Sequence, residues 1–266
     1  MNAPLAETAG ESRAGSAIAW STAENLHRAL EQPGLQAVLI APQAECAWRQ
    51  ELDAAIESGA LQIPRTIWPE IGIDEFATWL ERTVSPDAVS RDTRDALLSD
   101  LCDLLHLHES IGGTESFHVR VFTAAPSRYC GFHVDTVPPG VCPWGLFRAY
   151  NGPGPTWVEP RDVHSMRAFY DWLQMRDRIV REFEDPIARD RALVELDDRP
   201  SFLTSGDIRP AIPERVTAVF RQLDVRRHWS DHGPSEAWIH CSPMAGSPRL
   251  VINVSSAVPP RAHTIR

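Results

Sequence analysis

The sequence predicts an α+β fold: a double-stranded β-helix, a jelly-roll or cupin-like barrel, with an N-terminal helical block and a helical insertion. Three observations predict it. Apolar residues recur at helical spacing through roughly the first hundred residues. From residue 117 the period drops to two, in short runs separated by Pro, Gly and Asn. Between about 161 and 213 the helical period returns before the last strands.

Residues 1–15 (MNAPLAETAGESRAG) are rich in Ala, Gly, Ser and Glu and read as a disordered tail. They lack the apolar core of a signal peptide. Residues 16–112 read as mainly helical support. Ser21-Thr22-Ala23-Glu24 has the form of a capping box, with Leu26 and Leu30 following on one face. Ala37–Ile40 reads as a short buried strand. A helix is expected over 44–58, stopped by Gly59. Asp74 is placed to cap another, whose inner face carries Phe76, Trp79 and Leu80. Over 93–108, Leu97, Leu101, Leu104 and Leu105 form one helical stripe.

Residues 113–258 read as the barrel core. Strands are expected at 117–124, 131–135, 145–150, 214–221, 236–240 and 249–256, with turns at Pro138-Pro139-Gly140, Asn151–Gly154 and Ala245–Pro248. In the insertion, Met166, Phe169, Tyr170, Leu173, Val180 and Phe183 lie roughly on one helical face. Two readings are open for it: packing on the outside of the barrel, or a lid.

Hydrophobic residues make up 43% of the chain and charged ones 23%, enough for a core without staples. The net charge of -10 argues against a nucleic-acid binder, which needs a basic face. No apolar run reaches membrane-spanning length, so no membrane partner is expected. Five scattered cysteines (Cys46, Cys102, Cys130, Cys142, Cys241) form no Cys-x-x-Cys pair and point to reduced thiols in a cytoplasm.

Chemistry concentrates at His133-Val134-Asp135. On a strand, i and i+2 share a face, so an imidazole and a carboxylate project together. Two neighbouring ligands of this kind are what a facial metal triad takes from one strand, and the carboxylate favours a hard ion such as iron(II). Ten histidines among 36 acids in 266 residues give roughly one such pair by chance, so the pair alone is weak. A histidine simply bonded to a nearby acid is the plain alternative. The pair gains weight from His240, which ends the run EAWIH, and from Arg249, which opens RLVINVSS. The segment CSPMAGSP between them reads as a hairpin loop, which would set His240 and Arg249 on paired strands. An arginine beside a metal supplies a planar fork for a carboxylate; a structural arginine is the alternative. Arg148 and Tyr150 share a face of the next strand and are further candidates for the same carboxylate, although Tyr150 also suits a core aromatic. Cys130 and Cys241 adjoin the ligands; thiolate ligation would suit zinc, and small buried residues are the plainer reading.

The ordered set His133-x-Asp135, Tyr150, His240 and Arg249 resembles the iron(II)/2-oxoglutarate dioxygenases. The resemblance implies that His133, Asp135 and His240 bind iron(II), and that Arg249, with Tyr150 or Arg148 as second contacts, holds the 2-oxoglutarate co-substrate, with O2 as oxidant. Residues 16–266 would then be a single catalytic domain acting on a small-molecule or amino-acid-like substrate, with Arg120 and Trp157 lining the substrate pocket; the acidic composition of the chain makes a small amine, amino acid or peptide the more natural substrate. The carboxylate at Asp135, absent from halogenating relatives, favours hydroxylation or desaturation. A zinc-dependent hydrolase or lyase on the same triad, and a non-catalytic cupin-like metal-binding protein, are the alternatives. A closer resemblance is to a bacterial family of unknown function, number 1826, through CGFHVD (130–135), FRAYNGPGPTW (147–157), IHCSP (239–243), RLVIN (249–253) and the upstream ECAWRQELD (45–53). Two departures, CSP for RSP after the distal histidine and GPGPTW for GPGTEW, leave the ligands intact.

Overall fold

Alternating apolar residues in a long strand demand partners on both faces, and this chain supplies two different ones. The computed structural model describes residues 17–42, 47–127, 131–204, 208 and 211–258; the expected tail, Cys46 and Cys130 lie outside them. The elements follow in the order β1 (Ile18–Ser21), α1 (Leu26–Leu30), β2 (Ala37–Ile40), α2 (Ala47–Glu57), β3 (Thr66–Ile71), α3 (Ile73–Thr83), α4 (Arg91–Gly112) and β4 (Phe117–Ala124). Then come β5 (Thr136–Val137), β6 (Trp144–Ala149), β7 (Thr156–Trp157), α5 (Met166–Glu182), α6 (Pro186–Asp198), β8 (Thr217–Arg221), β9 (Leu223–Asp224), β10 (His240–Cys241) and β11 (Arg249–Ser256).

Seven strands make one sheet in the order β1-β2-β8-β6-β11-β4-β3, antiparallel throughout except for the β1–β2 pair. A smaller sheet is formed by β10 on β7, extended by an antiparallel bridge between His133 and His240. Apart from β5 and β9, which pair in parallel as a separate two-stranded sheet, the chain from β4 onward alternates between the two: β4 large, His133 small, β6 large, β7 small, β8 large, β10 small, β11 large.

The parity of each strand sorts its side chains into two cores. Val119 and Val121 of β4, Leu146 of β6, Val219 of β8, and Leu250, Ile252 and Val254 of β11 face a helical layer that includes Phe76, Leu80, Leu97, Leu101 and Leu105. Their alternates, Phe147, Ala149, Ala218, Phe220 and Val251, face the small sheet and meet Trp238 and Trp157. A third cluster, with Phe132, Ile239, Met166, Phe169, Trp172 and Phe202, packs α5 and the segment after α6 on the far side of the small sheet. The insertion therefore covers the outer face of that sheet. Each apolar face is buried against a different layer, which is what makes strand register non-negotiable.

Several expectations fail locally. Ser21 belongs to β1, and α1 starts at Leu26 with Asn25 before it and no side-chain cap, so no capping box forms. The N-terminal block also contributes β1, β2 and β3 to the large sheet; β3 sits at its edge, where Pro69 removes no ladder bond the sheet needs. Gly72, not Asp74, precedes α3; Asp74 lies in its first turn. The expected strand over 236–240 is reduced to its last residue, because residues 234–236 form a 3-10 turn.

The helical layer is pinned to the sheet by one polar knot. Arg148 Nη1 and the Tyr150 hydroxyl both donate to Asp100 Oδ2 of α4, at 2.5 and 2.6 Å. Arg148 also donates through Nε and Nη2 to Thr217 Oγ1, at 2.9 and 2.6 Å. Burial and the neighbouring Asp100 carboxylate push the Tyr150 phenol well above its usual range, so it stays a donor. An Asp100→Ala variant is expected to lose about 2–3 kcal/mol in urea unfolding, since a mostly buried guanidinium and a hydroxyl lose their acceptor.

Candidate metal centre

His133 and His240 are brought together by main-chain pairing. Each donates its N–H to the other's carbonyl, at 2.9 and 3.1 Å, the close pair of an antiparallel ladder. Their rings consequently lie side by side, with centroids 4.3 Å apart. Asp135 follows two residues after His133, and its Oδ2 lies 3.8 Å from His240 Nε2. One ligand atom from each of His133, Asp135 and His240 falls within 4.8 Å of the others.

The protonation pattern suits a cation. His133 Nδ1 bonds the Gly131 carbonyl at 2.8 Å, and His240 Nδ1 bonds the Trp238 carbonyl at 3.0 Å. A carbonyl only accepts, so each Nδ1 carries a proton, which leaves Nε2 as the ring atom available to a cation. Burial, and secondarily the His133 ring, holds His240 down to about 3, so it is neutral at physiological pH. Asp135 Oδ2 is buried without a hydrogen-bond partner. An unpartnered buried carboxylate oxygen beside two imidazole lone pairs is costly by itself and becomes favourable on a divalent ion. The three residues therefore fit a metal of the two-histidine, one-carboxylate type.

The walls are aromatic. Trp238 stacks on His240 with centroids 4.2 Å apart, Phe220 of the large sheet lies 5.6 Å from it, and Trp157 is the register partner of His240 on β7. Behind His133, the backbone of Gly131 is pressed against Arg176 of α5: a Cβ at Gly131 would collide with the Arg176 guanidinium. Arg176 in turn bonds Asp197 of α6 at 3.2 Å, and both are buried.

The other expected residues divide. Arg120 lies at the site, with Nη2 3.7 Å from Asp135 Oδ1. Trp157 lines it. Arg148 and Tyr150 are not at the site: their parity on β6 turns them to the helical layer and Asp100, on the opposite face of the sheet. Arg249 starts β11 on the face that looks toward the small sheet, and its guanidinium donates to the Pro153 carbonyl. His240 and Arg249 do not form a hairpin, because β4 and β6 already occupy both edges of β11 and the intervening segment crosses from one sheet to the other. Cys241 faces the outer core cluster, away from the triad. Sequence reasoning passed over Trp238, Gly131, His118 and Asn253. The first two stand two residues before the ligands, and His118 shares the face of Arg120, so the i, i+2 rule pointed to all three.

Fold and centre together define a mixed α+β protein with one large, mostly antiparallel sheet and a candidate two-histidine, one-carboxylate metal site. The chain belongs to the family described as "Protein of unknown function (DUF1826)", which matches residues 22–185. That span includes His133 and Asp135 and ends before His240 and Arg249. No curated protein matches the chain. Among solved structures, a dioxygenase for auxin oxidation from rice is similar at 12% identity and a TM-score of 0.44, over 89% of this chain and 79% of that one. A collagen prolyl hydroxylase from Paramecium Bursaria Chlorella virus-1 is similar at 11% identity and a TM-score of 0.33, over 83% and 94%. The Kdo hydroxylase, a non-heme Fe(II) alphaketoglutarate-dependent dioxygenase, is similar at 13% and 0.38, over 90% and 86%.

Proposed function

We propose that this protein is a non-haem iron(II)- and 2-oxoglutarate-dependent oxygenase that hydroxylates or desaturates a small-molecule substrate. The observation that carries the reading is the convergence of His133, Asp135 and His240 within 4.8 Å, with both imidazoles oriented by carbonyls and Asp135 Oδ2 unpartnered. The alternation of the chain between the large sheet and the β7–β10 sheet, interrupted only by the short β5–β9 pair, supports a double-stranded β-helix as the frame.

In this reading His133, Asp135 and His240 hold iron(II) on one face and leave the opposite face for ligands. The metal supplies the redox chemistry through which 2-oxoglutarate and O2 give succinate, CO2 and the oxidised substrate. Trp157, Trp238 and Phe220 keep water from the reacting groups. Arg249 is the anchor for the distal carboxylate of 2-oxoglutarate, its planar fork suited to two parallel hydrogen bonds; Arg148 and Tyr150, tied to Asp100, take no part. A zinc hydrolase would need an acid or base poised for water beside the triad. Asp135, the carboxylate of the cluster, is taken up as a ligand in either case.

The test is anaerobic addition of iron(II) and then 2-oxoglutarate to the apo-protein, followed by visible absorption. A metal-to-ligand charge-transfer band is expected, together with O2-dependent succinate formation once air is admitted. Iron binding without any band on adding 2-oxoglutarate would retain the metal and remove the co-substrate. Arg249→Ala is expected to raise the 2-oxoglutarate concentration needed for half of the band by at least about tenfold.

A further inference from the structure

The polar groups at the centre are unbalanced in sign. Once Asp135 is committed to a metal, the unpartnered buried atoms left around it are N–H donors: Trp157 Nε1, Trp238 Nε1 and Arg120 Nε. They come from β7, the segment before β10, and β4, which meet at the candidate ligands: Trp157 is the register partner of His240, Trp238 stacks on it, and Arg120 lies beside Asp135. Trp238 is only 1% exposed, which makes its free indole N–H costly unless a ligand accepts from it. On the large sheet, Arg120 pairs in register with Asn253, and His118 beside it pairs with Ser255, its Nδ1 3.4 Å from Ser255 Oγ. These side chains form a polar strip next to the metal ligands, in a face otherwise made of Phe122, Phe147, Phe220 and Val251.

The two arginines stand at different places on the sheet. Arg249 pairs with Ala124 and Arg120 with Asn253, so the two sit four residues apart along the same pair of strands, about 13 Å at strand rise. Their guanidiniums meet different groups, the Pro153 carbonyl and the Asp135 carboxylate. In the proposed reading Arg249 takes the distal carboxylate of the co-substrate, and Arg120, beside Asp135, is assigned to the substrate.

We propose that the primary substrate is an anion, a small apolar or aromatic carboxylate, whose carboxylate is held by Arg120 with the Trp157 and Trp238 indoles as further donors. This rests on the oxygenase reading for its metal but names the substrate class. It also reverses the preference for amines that the acidic composition of the chain suggests: the local donors, not the net charge, set the sign of the pocket.

The test uses the cobalt(II)-loaded protein saturated with 2-oxoglutarate, and the matched probes butanoate, butanamide and butylamine. Binding is followed by calorimetry and by the visible cobalt spectrum. Butanoate is expected to bind at least about tenfold more tightly than the amide or the amine. Arg120→Ala should erase that preference with the cobalt spectrum intact, Arg120→Lys should keep part of it, and Arg120→Glu should favour butylamine. Equal affinity for the three probes, no binding of any, or butanoate binding unchanged in Arg120→Ala would overturn the proposal. Failure of cobalt to give a spectrum in the wild-type protein would overturn the metal reading instead, and the probe preference is then read on the metal-free protein by the same calorimetry.

Discussion

A His240→Ala variant is expected to lose at least about 100-fold in affinity for iron(II) or cobalt(II), measured by competition with a chromophoric chelator. Removing a ligand should exceed the 10–100-fold typical of losing a residue that merely orients one. His240 is the most deeply buried of the three ligands, and its Nε2 has no main-chain partner to satisfy it in place of a metal. Asp135→Ala should lose a similar factor, since it removes the only anionic ligand and with it most of the site's charge preference for a divalent ion. Neither change touches the two main-chain hydrogen bonds that pair residues 133 and 240, so both variants should keep their circular dichroism. Cys241→Ser is the matched control: it adjoins His240 in sequence but faces the outer core, and its metal affinity should stay within about twofold of wild type. Normal metal binding by both His240→Ala and Asp135→Ala would refute the triad.

Asp197→Ala is expected to cost about 3–5 kcal/mol in urea unfolding, the range for removing one partner of a buried ion pair. The Arg176 and Asp197 side chains are 7% and 4% exposed, so solvent offers the remaining guanidinium little compensation. The pair joins α5 to α6, and Arg176 also lies against Gly131, whose carbonyl orients His133. The loss of stability should therefore be accompanied by a fall of about 10–100-fold in metal affinity, as for other changes behind a metal ligand. Gly131→Ala approaches the same contact from the other side: its methyl would collide with the Arg176 guanidinium, and metal affinity should fall with the ion pair still present. A destabilised Asp197→Ala protein with undiminished metal affinity would mean that the insertion is only a wall for the small sheet.

The strands with the clearest alternation were legible to the residue. FHVRVFTA and RLVINVSS are β4 and β11 with the bounds their period implies, because both pack apolar residues on the helical layer with every second side chain. Short elements were not. The run 131–135 makes a single bridge at His133, and EAWIH pairs only at its end, since local pattern over five residues does not distinguish a strand from an extended crossing between sheets. The candidate ligands were nevertheless legible in the sequence, because residue type and the i, i+2 spacing of His133 and Asp135 need no long element, and the fold brings the three residues within 4.8 Å of one another.

By itself the sequence determined which side chains travel together: His133 with Asp135, Arg148 with Tyr150, His118 with Arg120, Arg249 with Val251 and Asn253. That follows from the two-residue repeat of an extended backbone and holds in any packing. Only the tertiary structure decided what each set faces. Arg148 and Tyr150 could have faced either layer; Asp100 of α4, distant in sequence, holds them on the helical side. His240 meets His133 rather than the strand of Arg249, because hydrogen bonding to β4 and β6 exhausts both edges of β11. Partner choice depends on edges and faces offered by residues far along the chain, and no local period carries that information.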